Sequence, residues 1–257
     1  MKPEDRRHDI IELLVDVGSA TLEDLAQRFG VSRMTVHRDL DELEEEGLLR
    51  KVRGGATIEA SGQFESDFRY RARLATDEKR LIAERAAMFL TPGTSIIIDD
   101  GSTSQMLMPH LLDKRPLTVI TNNQAVIETA AQVSGIDLIA LGGTYSRKFN
   151  GFFGVLTLQA LSNLRVDMAF LSTSAIQGTS AFHQDQEVLE VKRRMISSAA
   201  RKYLMVDHRK FGRPALHYMT DLDVFDGIVT TRDLDPRTAS DLRAQGVEVH
   251  FPEESET

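Results

Sequence analysis

Five short segments carry most of the groups in this chain that can do chemistry. They are Asp99-Asp100-Gly101-Ser102-Thr103-Ser104, Thr121-Asn122-Asn123, Gly142-Gly143-Thr144, Ser172-Thr173-Ser174-Ala175 and Asp207-His208-Arg209-Lys210-Phe211-Gly212. Each follows a short apolar or β-branched run. Hydroxyls, amides, glycines and a few charges dominate them, which suits a small, polyhydroxylated, anionic ligand. Gly101 to Ser104 at a strand-to-helix junction would offer backbone N–H groups, hydroxyls and a helix N-terminus to a phosphate. A turn with a capping serine is the other reading of those four residues. Lys192 has two readings as well, a ligand group or part of a solvated helix face shared with Glu190, Arg193 and Arg194. Asp207 is either a ligand group or a turn cap.

A second constellation lies in Thr21 to Ala56. Leu22, Leu25, Ala26 and Phe29 recur at helical spacing, Thr21 is a candidate N-cap, and Gly30 is a stop. Ser32 caps the next helix, where Val36, Leu40 and Leu43 form an apolar stripe. That leaves Arg33, Met34, Thr35, His37 and Arg38 mostly on the outer face. Two short helices around a glycine turn are the helix-turn-helix pattern, in which the second helix enters the DNA major groove. Arginines bond guanine edges or phosphates, and Thr35 a base or a thymine methyl. Arg50, Lys51 and Arg53 then alternate with apolar residues toward Gly54-Gly55, a β-hairpin wing suited to backbone or minor-groove contact. An αα-hairpin with a merely solvated polar face is the competing reading.

The elements that must hold these groups follow from the pattern around them. A first helix is expected over about 5–17, with Ile10, Ile11, Leu13, Leu14 and Val17 apolar and Gly18 as its stop. Residues 1–58 then form a winged helix-turn-helix domain. Residues 59–75 read as linker and arm: 59–63 are small and polar, and Phe64 to Arg71 are expected to run extended. From Thr76 onward helix and strand alternate. Strands are expected at Ser95–Ile98, Leu117–Ile120, Asp137–Leu141, Met168–Leu171, Tyr203–Val206, Gly227–Val229 and Val247–Phe251. Helices are expected at Asp77–Leu90, Gln105–Leu112, Gln124–Val133, Thr157–Leu161, Glu187–Arg201 and Pro236–Gln245. Residues 76–257 therefore read as an open α/β domain with a mainly parallel sheet, whose ligands sit at the carboxyl ends of the strands.

Composition bounds the function classes. At 257 residues the chain accommodates one large or two unequal domains. Hydrophobic content of 41% and charged content of 27% are those of an ordinary globular protein. No apolar run approaches the roughly 18 residues of a membrane span. The first residues carry no signal-peptide core, and there is no cysteine, so a cytoplasmic protein without disulfides is expected. The net charge of −8 weighs against nucleic acid, but phosphate neutralisation is local, and the cations cluster between Arg33 and Arg53. The run Glu44 to Glu46 is a solvated helix end. His110, His183, His208, His217 and His250 show no ligand spacing, so no metal site is expected, and His183 and Asp185 read as surface-loop residues. Neither GxGxxG, GxxxxGK[ST] nor GxSxG is present, so no nucleotide cofactor and no serine elbow is expected.

These residues resemble the DeoR-type bacterial repressors. The likeness rests on Arg7-His8-Asp9-Ile10-Ile11, on Ser32-Arg33-Met34-Thr35-Val36-His37-Arg38-Asp39-Leu40-Asp41-Glu42-Leu43 and on Arg53-Gly54-Gly55-Ala56. It continues through Asp99 to Thr103, Thr121-Asn122, Gly142-Gly143, Asp185 to Lys192 and Asp207 to Gly212. The resemblance implies a C-terminal sensor domain similar to sugar-phosphate isomerases, with a phosphorylated sugar or related metabolite as effector. It puts Ser102, Thr103, Ser104 and Lys210 near the phosphate, and Asp99, Asp100, Asn122, Asp185 and Lys192 near the hydroxyls. Gly101, Gly143, Ser172, Thr173 and Ser174 complete the candidate effector set. In two places the chain departs from the family pattern. His37 stands where the family usually has arginine, exchanging a permanent cation for an imidazole. Ser172-Thr173-Ser174-Ala175-Ile176 stands where the family usually has a Gly-x-x-Gly-Ile loop.

The expected function is a DNA-binding regulator of carbohydrate utilisation. It would act as a homodimer or homotetramer on operator DNA, as helix-turn-helix readers of repeated half-sites do. Two other readings stay open. One is an isomerase or deaminase with Asp99, Asp100 or Asp185 as base and an appended DNA domain. The other is a DNA-binding module without a ligand.

Overall fold

The computed structural model describes residues 2–45, 48–57 and 68–253, and divides into two compact units, Met1–Leu74 and Ala75–Thr257. Helix α1 (Pro3–Val17) starts on a proline, whose missing N–H costs nothing at that position, and stops at Gly18 with φ 79°. It begins two residues earlier than expected, and Val17 ends exposed instead of in the core. Strand β1 (Ser19–Thr21) leads into α2 (Leu22–Phe29). There Thr21 and Asp24 bond each other's backbone N–H in a capping box, and Gly30 closes the helix with φ 63°. In α3 (Arg33–Glu45) the apolar stripe faces inward: Val36, Leu40 and Leu43 pack with Ile10, Ile11, Leu14, Leu25 and Leu49.

The wing consists of β2 (Arg50–Val52) and β3 (Gly55–Thr57), and β3 also pairs with β1 in a three-stranded sheet. Strand β1 was not foreseen, because three residues are too few to show a period. Its partner explains why position 55 is glycine. A Cβ on Gly55 would collide with the Ala20 carbonyl oxygen and lie 2.9 Å from Thr21 Cα.

The expected linker 59–63, the start of the arm at 64–67 and the returning Ile58 lie outside the described residues. The rest of the arm is not extended. Phe68–Arg73 is a short helix, α4, in which Phe68 is buried and the Arg71 guanidinium sits 5.7 Å from its ring centre. An i,i+3 pair of this kind is what one helical turn brings together.

The second unit is built on a seven-stranded parallel sheet. Its chain order is α5 (Thr76–Ala87), β4 (Ser95–Ile98), a 3-10 helix (Ser104–Lys114), β5 (Leu117–Thr121), α6 (Gln124–Ala130) and β6 (Ile136–Ala140). A hairpin of β7 (Thr144–Ser146) and β8 (Gly151–Phe153) follows, then α7 (Val155–Ser162) and β9 (Val166–Leu171). Strands β10 (Ala175–Gln177) and β11 (Ser180–His183), α8 (Gln186–Ser198), β12 (Ala199–Met205) and β13 (His217–Asp221) come next. The last elements are β14 (Gly227–Val229), α9 (Pro236–Ala244) and β15 (Val249–His250).

Two differences from the sequence reading have physical causes. The segment around Gln105–Leu112 is 3-10 rather than α, because Pro109 in its middle removes a donor the α ladder needs. Helix α8 stops at Ser198, and β12 starts at Ala199 rather than Tyr203, because Ala199 and Arg201 already pair with Val166 and Met168 of β9. A small antiparallel sheet, β10-β11-β13, was not foreseen.

Sheet order is β15-β14-β12-β9-β4-β5-β6. The chain therefore lays down β4, β5 and β6 outward in one direction and β9, β12, β14 and β15 in the other. Between β4 and β9 the winding reverses, and ligands of open α/β sheets sit at the carboxyl end of that crevice. One apolar layer covers each face. Ile97, Ile120, Ala169, Leu171 and Leu204 lie in one cluster, and Ile96, Ile98, Val119, Phe170 and Met205 in the other.

Candidate functional site

Asp99 leaves β4 at the reversal point and organises everything around it. Its backbone N–H donates to the Phe170 carbonyl at 3.3 Å, which continues the ladder from β4 toward β9. Its carboxylate accepts from Gly101 N at 2.9 Å, from Ser172 N at 2.7 Å, from Ser172 Oγ at 3.2 Å, and from the Ser104 hydroxyl. The Lys192 ammonium also bonds it, and lies 2.9 Å from Asp100 Oδ1. All three charged side chains are buried. Burial is the largest influence on Lys192 and pushes toward the neutral amine. Asp100 and Asp99 together overcome it and hold the pKa above that of an ordinary lysine.

Lys192 is thus not part of a solvated helix face. Arg193 is exposed on the same helix, and donates to the carbonyls of Met219 and Tyr218, which ties α8 to β13.

Lys79 is a group the sequence reading missed. It is buried on α5 and donates to Ser102 Oγ at 3.0 Å. The signal was available: Lys79 falls on the apolar face at helical spacing with Ile82, Ala83 and Ala86. Ser102 and Thr103 are buried beside it, and Asn122 is buried at the end of β5. Asn122 Nδ2 donates to the Phe152 carbonyl at 3.0 Å, while its Oδ1 has no hydrogen-bond partner among the described residues.

Other members of the expected set hold the scaffold. The Ser104 hydroxyl bonds Asp99 and the Gly101 carbonyl and caps no helix N–H. Asp185 caps α8, accepting from Glu187 N at 3.0 Å and Val188 N at 3.1 Å. Asp207 accepts from Arg209 N and Nε in its turn. At Gly143 a Cβ would strike the Phe153 carbonyl and the Thr157 hydroxyl, so the glycine serves close packing. Lys210 lies half-buried in the 3-10 turn His208–Lys210. His183 is buried on β11 rather than in a surface loop, with its Nδ1 near the backbone of Asp185.

Glu78, His208 and Asp233 bring ligand atoms within 4.8 Å of one another, a proximity no sequence spacing reveals. Glu78 and His208 of this cluster have partners within the protein. Arg209 lies 3.5 Å from Glu78, and the Thr231 hydroxyl 3.0 Å from His208 Nδ1.

In the first unit, the outer face of α3 carries Arg33, Met34, His37 and Arg38, all exposed. Ser32 Oγ accepts from Thr35 N at 3.1 Å and lies 2.9 Å from Thr35 Oγ1, so both hydroxyls are engaged at the helix start. Arg33 pairs with Glu23 of α2, and Lys51 with Asp41 of α3, which tethers the wing to the helix. Arg38, Arg50 and Arg53 are exposed cations. Beneath this face the buried Arg6 makes a two-point bond to Asp39, at 2.6 and 3.0 Å, and fixes α1 against α3.

A capped two-helix motif with a basic outer face and a tethered wing matches the model of the DeoR-like helix-turn-helix domain over residues 6–61. The model of the DeoR C-terminal sensor domain matches residues 74–232. The chain belongs to the DeoR family.

Two relatives illustrate the match. The HTH-type transcriptional regulator IolR of Bacillus subtilis is 31% identical over 96% of this chain and 98% of its own length. The glycerol-3-phosphate regulon repressor of Escherichia coli is 32% identical over 90% of this chain and 91% of its own. As a DeoR-family member the chain is a DNA-binding transcriptional regulator. No described helix is long and apolar enough to cross a membrane. Among solved structures, ribose 5-phosphate isomerase A of Neisseria gonorrhoeae aligns with 52% of each chain at 15% identity and a TM-score of 0.38, too low to carry an argument.

The departure from the DeoR-type loop after β9 is now physically legible. Ser172 Oγ occupies the space a Cβ on Gly101 would need, so a glycine on one side faces a serine on the other. Ser172 is committed to Asp99, and Thr173 Oγ1 donates to the Phe182 carbonyl at 2.6 Å. Of the three added hydroxyls, Ser174 is the one on a half-buried side chain, without such a bond among the described residues.

Proposed function

We propose that this regulator is a metabolite-controlled repressor of a carbohydrate-utilisation operon, acting on operator DNA as a homodimer or homotetramer. Its effector is a sugar phosphate or a closely related metabolite. Phosphate is taken by the Lys79 ammonium, the Ser102 and Thr103 hydroxyls and the backbone N–H groups of the loop after β4. Sugar hydroxyls bond the Asn122 carbonyl oxygen, Asp100 and Ser174. Ser104, Asp99, Ser172, Thr173 and Asp185 shape this site rather than touch the ligand.

The observation that carries the reading is the buried Asp99–Asp100–Lys192–Lys79 group at the reversal of the sheet. Two carboxylates and two ammoniums sum to neutral charge, with Lys79 and its hydroxyl partners at one end. A phosphate at that end would meet one ammonium and the Ser102 and Thr103 hydroxyls, charge-assisted hydrogen bonds that offset part of its desolvation.

The same geometry leaves Asp99 no role as the base of an isomerase or deaminase. A base that takes a proton α to a carbonyl needs a free carboxylate lone pair at the substrate. Asp99 instead accepts from two backbone N–H groups, two hydroxyls and Lys192.

DNA is gripped by α3 in the major groove, with Arg33 and Arg38 reaching guanine edges or phosphates and Met34 a thymine methyl. Arg50 and Arg53 add backbone contacts from the wing. A gel shift with the chain's own upstream region tests the reading. Specific, salt-sensitive binding that a sugar phosphate alters is expected; binding indifferent to every member of such a panel would overturn the effector assignment.

A further inference from the structure

His37 is held on the outer face of α3 by Asp41, one turn further on, with Nδ1 3.0 Å from Asp41 Oδ2. Asp41 also takes the Lys51 ammonium from the wing, and the Lys51 backbone N–H donates to Glu44 Oε1 at 2.6 Å. The hydrogen bond from Lys51, seconded by that from His37, keeps the Asp41 carboxyl below the usual carboxylate range. An ionised carboxylate only accepts, so the hydrogen of the neutral imidazole must reside on Nδ1. Nε2 then carries a lone pair. Both side chains are about half exposed, at 48% and 46%.

In the major groove this matters base by base. Adenine and cytosine present an amine there, whereas guanine and thymine present acceptors and, for thymine, a methyl. Arg33 and Arg38 are donors without an acceptor atom, and so select guanine or phosphate. We propose that His37 is a base-specificity residue whose Nε2, aimed by Asp41, accepts from the exocyclic amine of an adenine or cytosine in each half-site. The inference rests on the reading that α3 enters the major groove. An acceptor set among arginines gives this helix a mixed code that an arginine at position 37 would not produce.

Selection of bound duplexes from a randomised pool tests it, with the full-length protein at mildly alkaline pH. One position per half-site is expected to favour adenine or cytosine over guanine by about tenfold. His37→Arg should move that position to guanine and leave the others unchanged. Asp41→Ala frees either ring nitrogen to carry the hydrogen, and should admit guanine at the same position. A wild-type preference profile that His37→Arg leaves unaltered at every position would overturn the role of His37 while leaving DNA recognition intact. A wild-type protein that selects no sequence at all would remove both.

Discussion

The Lys192 ammonium lies 2.9 Å from Asp100 Oδ1, with both side chains almost wholly inside the protein. Since Asp99 shares the same ammonium, one cation restrains two buried carboxylates at the point where the sheet reverses direction. Breaking such a group by removing one partner strands the others in a low dielectric.

Lys192→Met should therefore cost about 3–5 kcal/mol of folding stability near neutral pH, measurable by urea unfolding. The pH dependence has a definite sign. A lysine whose pKa rises on folding contributes stability in full below its unfolded range. That contribution is lost as pH climbs through the folded value. The wild-type protein should lose stability on the alkaline limb, and the methionine variant should not share that part of the loss.

Gly55→Ala tests the packing of the wing. Its methyl group must displace β1 from β3, because the Ala20 carbonyl has no room to retreat within a paired strand. A loss of about 1–3 kcal/mol is expected. Thermal melting should report it, and DNA affinity should fall with it.

Arg53, an exposed cation in the wing turn, tests the electrostatic part of DNA binding. If it neutralises one phosphate, Arg53→Ala should weaken binding to all duplexes about equally. It should also flatten the slope of log affinity against log salt by about 0.9. A sequence-dependent loss would instead assign Arg53 to base readout.

Local signals were legible in the sequence wherever the chain interacts with its near neighbours. Thr21 and Ser32 read as helix starts, Gly30 as a stop, and the stripe Val36, Leu40 and Leu43 as a buried face. The seven parallel strands were visible because each is a β-branched or aliphatic run, with helical patterns between most of them. Long-range relations were not legible. Lys192 reads as one charge among several on its helix, and only the arrival of Asp99 from 93 residues away turns it inward. Asp185 and Ser172 carry the right atoms for a ligand, but a helix start and an aspartate claim them first. Lys79 was readable and was overlooked, since a lysine on an apolar helix face marks a buried charge. Pairing of three-residue strands, as in β1 and the sheet β10-β11-β13, depends on partners that local pattern does not identify.

Coupling between the metabolite site and DNA is tested most directly by operator affinity, measured with and without a panel of sugar phosphates, for the wild type and for Lys79→Met. One phosphorylated sugar is expected to change wild-type affinity by about 5–150-fold. The variant should bind DNA as tightly as the metabolite-free wild type and ignore that sugar. A Lys79→Met protein that responds as the wild type does would contradict the phosphate site built on Lys79.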